Sequence, residues 1–183
     1  MAPAASHLKL VDTPPDALER LYTEHVDRVL RAAHRVCGNM TDAEDVLQTL
    51  FLRLARTADI DLSPNPGAYL HRAAVNAALD LIRSRARSRS VSIEAAPVEK
   101  ITSGERRPDD RQIDRELAGA IRAAVSRLNP RAAELFALKY FEGYDNREIA
   151  DLLGMSPMVV AVLLHRARGR VRADLQKAFG DTI

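Results

Sequence analysis

The sequence has no tryptophan, only 4% aromatic residues, and a single cysteine, Cys37. One cysteine excludes an intrachain disulfide framework, and one cysteine with five scattered histidines offers no metal-ligand spacing. Cys37 is read as a small apolar residue. No apolar run approaches the ~18 residues of a membrane span, and the opening MAPAASHLKLVDTPP lacks the charged-then-apolar order of a secretion signal. The expected setting is the cytoplasm, with no membrane partner and with residues 1–15 as a disordered arm. Also missing are a nucleophile beside a base and a phosphate-binding loop. No catalytic residue, cofactor or metal is expected, and the chain is not read as an enzyme.

What is present is helical patterning. Of the 183 residues, 46% are hydrophobic, enough for a core in one domain or in each of two small ones. Ala, Leu and Arg recur at spacings of three and four, which predicts an all-α fold. The net charge is only +2, yet the 27 basic residues cluster, notably in RSRARSRS at 83–90 and HRARGRVR at 165–172. Local basic patches on a near-neutral chain point to phosphate contact at defined places.

Along the chain, Asp16 to Cys37 carries an apolar stripe of Leu18, Leu21, Tyr22, Val26, Val29, Leu30, Ala33 and Val36, with Gly38 as its stop. A second helix is expected to start at a capping box of Thr41 and Glu44 and to bury Val46, Leu47, Leu50, Phe51 and Leu54. The prolines and glycine of DIDLSPNPGAY predict a loop over 59–68. A third helix follows to Arg87, with Leu70, Ala74, Ala78, Leu79 and Ile82 inward. Residues 16–87 then form one small helical domain, 88–110 a flexible polar linker and 111–179 a second domain. In the latter, Asn129-Pro130 starts a helix expected to reach Phe141. Asp145 with Glu148 caps a short one, Gly154 turns the chain, and Ser156-Pro157 opens the last. Two helices joined by a tight glycine-containing turn form a helix-turn-helix pattern, which any αα-hairpin can also show.

Arg72, Asn76, Asp80 and Arg83 share one face of the third helix. Asn suits a base edge and Arg a phosphate, although an ordinary exposed i,i+4 network has the same spacing. Arg166, Arg168, Arg170 and Arg172 suit phosphates, or a solvated basic face that complements the helix dipole.

Three segments, DAEDVLQTLFLRL at 42–54, NPGAYLHRAAVNAALDLIRSRAR at 65–87 and LNPRAAELFALKYFEGYDNREIADLLGMS at 128–156, resemble regions 2 and 4 of an extracytoplasmic-function sigma factor of bacterial RNA polymerase. The resemblance implies two helical domains and a transcription initiation factor working by binding. By this resemblance, Asp45 and Gln48 would bind the clamp helices of the polymerase β′ subunit, with Asp42 and Glu44 better read as helix-start residues. Thr49 stands where the family has an acid. Arg72, Asn76, Asp80, Arg83, Arg85 and Arg87 would hold unstacked −10 DNA, the linker would follow the RNA path, and region 4 would meet −35 DNA and the β flap. A stand-alone helix-turn-helix regulator and a sigma-like adaptor are the alternatives.

The last helix departs from the family. The −35 set would be Ser156, Met158, Ala161, Val162, His165, Arg166 and Arg168. Ala161, Val162, Leu163 and Val159 are apolar where relatives carry polar or basic side chains. At 100° per residue, Val160, Leu164, Ala167 and Val171 form the buried stripe, leaving Met158, Ala161 and Val162 exposed. That face reads thymine methyls and groove shape, meets a protein such as an anti-sigma factor, or has lost −35 reading and keeps only phosphate anchoring.

Overall fold

The computed structural model describes residues 15–56, 65–91 and 108–180. Among these the regular structure is helical: α1 (Pro15–Cys37), α2 (Met40–Arg56), α3 (Pro66–Val91), α4 (Pro108–Ser126), α5 (Pro130–Phe136) continued by a π turn (Ala137–Phe141), α6 (Asn146–Leu153) and α7 (Pro157–Phe179). The expectations for the N-terminal arm and for the middle of the linker lie outside the described residues. No single described helix is long and apolar enough to cross a membrane.

Helices α1, α2 and α3 pack on one another around Val29 and Val36, Leu50 and Leu54, and Leu70, Val75 and Leu79. A fully buried Leu or Val contributes about 1.5–3 kcal/mol by leaving water, so this apolar set is the main source of stability in the unit. The expected stripe of α1 is fully buried at Val29, Ala33 and Val36, partly buried at Leu18, Leu21, Val26 and Leu30, and exposed at Tyr22. The ring of Tyr22 meets Phe51 edge-on at 4.9 Å.

The start of α2 corrects the expected Thr41–Glu44 box. Gly38, at φ +82°, reverses the chain one residue before Asn39. Asn39 Oδ1 then accepts from the Asp42 amide at 2.8 Å, and its Nδ2 donates to the Asp42 carboxylate at 3.0 Å. The helix thus begins earlier than expected, and Thr41 already lies in its first turn. The α3 start is early for a similar reason: Asn65 Oδ1 accepts from the Ala68 amide at 2.9 Å and Pro66 fills the first helical position. At its other end α3 runs to Val91, and α4 starts at Pro108, so both enter the stretch 88–110 read as linker.

Around α7, which packs on α4, α5 and α6, a second unit forms. Asn129 caps α5 as expected, but the helix does not continue regularly to Phe141. The Glu142 amide bonds back five residues to Ala137 O at 3.0 Å, the mark of a π turn. Gly143, at φ +79°, then ends the segment. Helices α6 and α7 cross at 109°, within the range of helix-turn-helix pairs. Asp145 and Glu148 cap α6 reciprocally, Gly154 is left-handed at φ 62°, and Ser156 caps α7. The two units touch: α3 packs against both α4 and α5.

Candidate nucleic-acid interface

The polar face of α3 is divided among three partners. Arg72 Nε donates to Glu134 Oε1 at 2.7 Å, and Asn76 Nδ2 donates to the same oxygen at 3.0 Å. One turn on, Asp80 is exposed and accepts from Arg83 Nη1 at 3.1 Å. Arg85 reaches back to the buried Asp42, forming a clasp between α3 and the first turn of α2. Arg87 is exposed to solvent. Thus Arg72 and Asn76 come together, while Arg85 is engaged in holding two helices.

Glu134 is the residue that sequence reasoning missed. It is only 5% exposed, and its second oxygen accepts from Arg131 Nη1 at 2.8 Å. Burial pushes its carboxyl up, but hydrogen bonds from Arg72, Asn76 and Arg131 and the Arg72 charge outweigh burial and hold it below the usual range. The available signal was a lone acid between Ala132-Ala133 and Leu135-Phe136, since a charge inside an apolar run requires a counter-ion from elsewhere. Arg131 also donates to Leu153 O at 3.4 Å, tying this cluster to the helix-turn-helix corner.

Two more contacts cross between the units. Glu142 Oε2 meets His71 Nε2 at 2.8 Å and Arg35 Nη1 at 2.9 Å. Both lie beside a cavity of about 480 Å³ that Arg28, Arg31 and Tyr144 also line. On α4, Arg122 donates to Val36 O at 2.9 Å and so satisfies a carbonyl of the last turn of α1. Its burial lowers the guanidinium pKa.

On α2, Asp45, Gln48 and Thr49 are exposed, away from the core side chains Val46, Leu47, Leu50 and Phe51. Leu52 is exposed in the same stretch, an apolar surface residue out of phase with the buried positions.

On α7 the expected division holds. Val160, Leu164, Ala167 and Val171 are buried, and Met158 is 78% exposed. Ala161, Val162, His165, Arg166 and Arg168 are exposed and Leu163 is half-buried. Val159, also exposed, widens the apolar surface. The Ser156 hydroxyl accepts from the Val159 amide at 3.3 Å, so it serves the cap. No group of three or more potential metal ligands occurs among the described residues. Cys37 is buried, and burial, then the Asp42 charge, push its thiol up to about 12.

Comparison with known proteins accounts for most of the described chain. The Sigma-70 region 2 model matches residues 21–88 and the Sigma-70 region 4 model matches 118–171. The ECF RNA polymerase sigma factor SigE of Mycolicibacterium smegmatis is 32% identical over 90% of this chain, which spans 63% of that relative's length. RNA polymerase sigma factor CarQ of Myxococcus xanthus is 32% identical over 88% of this chain and 90% of its own. The ECF RNA polymerase sigma factor SigW of Bacillus subtilis is 26% identical, with 88% and 90% covered.

Proposed function

Because the chain belongs to the extracytoplasmic-function sigma factors of the sigma-70 family, we propose that it binds core RNA polymerase and directs it to specific promoters in the cytoplasm. It works by binding, with no bond chemistry of its own. Residues 16–87 act as region 2 and 111–179 as region 4, with the stretch between as linker. The observation that carries the reading is the occurrence of both family regions, in order, on one chain whose second unit ends in a helix-turn-helix.

Asp45 and Gln48 engage the β′ clamp helices, and their exposure on α2 supports this. Arg72, Asn76, Asp80, Arg83, Arg85 and Arg87 form the −10 surface. Arg85 reaches DNA only at the cost of its Asp42 clasp, and Arg72 and Asn76 only at the cost of their bonds to Glu134. Asn76 presents an amide that can pair with a base edge, and the arginines suit phosphates. An extruded base held this way compensates for lost stacking, which is how promoter opening proceeds without ATP.

Region 4 contacts the β flap and −35 DNA through the exposed start of α7. Met158, Ala161 and Val162 meet thymine methyls, while His165, Arg166 and Arg168 supply polar and phosphate contacts; Ser156 positions the helix by capping it. Each missing bidentate arginine forgoes about 1–3 kcal/mol of base discrimination, so −35 selectivity is weak. The test is transcription from a genomic fragment library by core polymerase with the purified chain. Discrete promoter-specific transcripts are expected, and failure to bind core polymerase would remove the reading. Core binding without specific initiation would make the chain an adaptor, and an anti-sigma factor the natural partner of the apolar face.

A further inference from the structure

The cavity beside Glu142 is walled by α1, by α3 and by the segment that leads from the π turn into α6. None of its residues is among those assigned above to polymerase or promoter. We propose that it is a binding site for a nucleoside monophosphate, with Arg28 and Arg31 holding the phosphate.

The basic wall comes from α1. Arg28, Arg31 and Arg35 are spaced three and four apart, lie on one face of that helix and reach the same cavity. Arg35 is already engaged by Glu142. Arg28 and Arg31 have no ion-pair partner among the described residues, although Glu24 and Asp27 stand one turn before them. Two neighbouring guanidinium groups without a carboxylate suit a dianion, and their planar forks match phosphate oxygens. A phosphomonoester carries a charge of about −1.5 to −2 at pH 7, which balances the two. A longer polyphosphate would bring excess negative charge against Glu142 and Glu148, which line the same cavity.

The remaining space and the opposite wall suit a nucleoside. A volume of about 480 Å³ is that of a small-molecule site, larger than a phosphate group requires. The Tyr144 ring, tilted on His71 with centroids 5.5 Å apart, offers an aromatic surface to a base. The carboxylates of Glu142 and Glu148 suit the N–H groups of guanine or adenine. The His71 side chain is only 5% exposed, yet its Nδ1 and Glu142 Oε1 lack hydrogen-bond partners among the described residues. Buried polar atoms are paired in the large majority of cases, so two unpaired ones in a single cavity wall point to a polar ligand beside them.

The test is equilibrium dialysis of the full-length chain with radiolabelled GMP or AMP, compared with guanosine and inorganic phosphate. Hydrogen–deuterium exchange locates the bound nucleotide, and circular dichroism checks that each variant is folded. The wild type is expected to bind GMP or AMP at least about tenfold more tightly than guanosine or phosphate alone, with exchange slowed at 28–35 and 142–148. Arg28 and Arg31 are exposed, and Arg28→Ala/Arg31→Ala should weaken nucleotide binding at least about tenfold without unfolding the chain. Arg147→Ala/Lys177→Ala removes the same charge from outside the cavity and should bind as wild type does. The proposal is overturned if the wild type binds neither nucleotide, if inorganic phosphate binds as tightly, or if exchange slows only along the basic end of α7. A folded Arg28→Ala/Arg31→Ala chain with wild-type affinity overturns it equally.

Discussion

Glu134 and Arg72, 62 residues apart, meet at 2.7 Å, so that a carboxylate of the second helical unit neutralises a guanidinium of the first. Their pairing explains how a charged residue can sit inside α5, and it places a region-4 side chain on the region-2 surface proposed to hold DNA.

Removing that carboxylate leaves Arg72 and Arg131 without their shared acceptor. Both guanidinium side chains are about two-fifths exposed and can turn to water, so the loss is smaller than for a sealed pair. Glu134→Ala is expected to lower unfolding stability by about 1–3 kcal/mol in a urea titration. A midpoint equal to wild type would mean the cluster holds nothing together.

Acid should loosen the same contact. The Glu134 carboxyl lies below its ordinary 4.5 when the units are closed, so its contribution is complete at neutral pH and is lost as pH falls below 4.5 through the lowered value. The difference in unfolding stability between wild type and Glu134→Gln should therefore shrink on acidification. A difference that persists under strongly acidic conditions contradicts this.

Gly38 is required twice. Its φ of +82° strains any L side chain, and a Cβ there would fall 2.2 Å from Arg122 Cζ. Gly38→Ala should cost about 1–3 kcal/mol. Adding Arg122→Ala should recover the part due to the clash and leave the part due to the backbone, which a double-mutant cycle measures directly.

The Cys37 thiol, pushed up to about 12, remains protonated and buried at neutral pH. Alkylation by iodoacetamide at pH 8 should be at least ~100-fold slower in the native chain than in urea. Because the folded value is raised, its favourable effect on stability is intact below the ordinary 9.0 and declines above it.

The two faces of α7 should respond oppositely to truncation. Leu164→Ala opens a cavity in the core and should cost about 2–5 kcal/mol, whereas Met158→Ala, at a position 78% exposed, should stay within about 0.5 kcal/mol. Restoring Arg at Ala161 and Leu163 should sharpen −35 dependence in transcription. Equal sensitivity to −35 mutations before and after would show that weak reading is wrong.

Much of the fold was legible because helical periodicity reports one helix's own environment. The buried stripe Val160, Leu164, Ala167 and Val171 followed from angle alone, and the Asp145, Ser156 and Asn129 caps from residue type. The Asn65-Pro66 start carries the same signature as Asn129-Pro130, but the neighbouring proline and glycine disguised it as loop. Asn39 and Thr41 offer the same capping chemistry, and a glycine before Asn39 fits the end of α1 as well as the turn into α2, so sequence alone does not choose between them.

What sequence could not supply was anything decided across helices. The π turn after Phe136 is a shift in hydrogen-bond register that leaves composition unchanged. The Asp42–Arg85 and Glu134–Arg72 pairs join residues far apart in sequence, so spacing on α3 gave four co-facial polar residues without showing that two were already engaged.

The sigma assignment is tested most directly by core polymerase supplied with wild type, Asp45→Ala/Gln48→Ala or Arg72→Ala/Asn76→Ala chains, measuring polymerase binding and promoter-specific transcripts together. The first pair should lose at least ~10-fold in polymerase affinity. The second should bind polymerase normally and fail to open the promoter. A chain that binds specific promoter DNA unaided and ignores polymerase in all three forms would contradict the assignment.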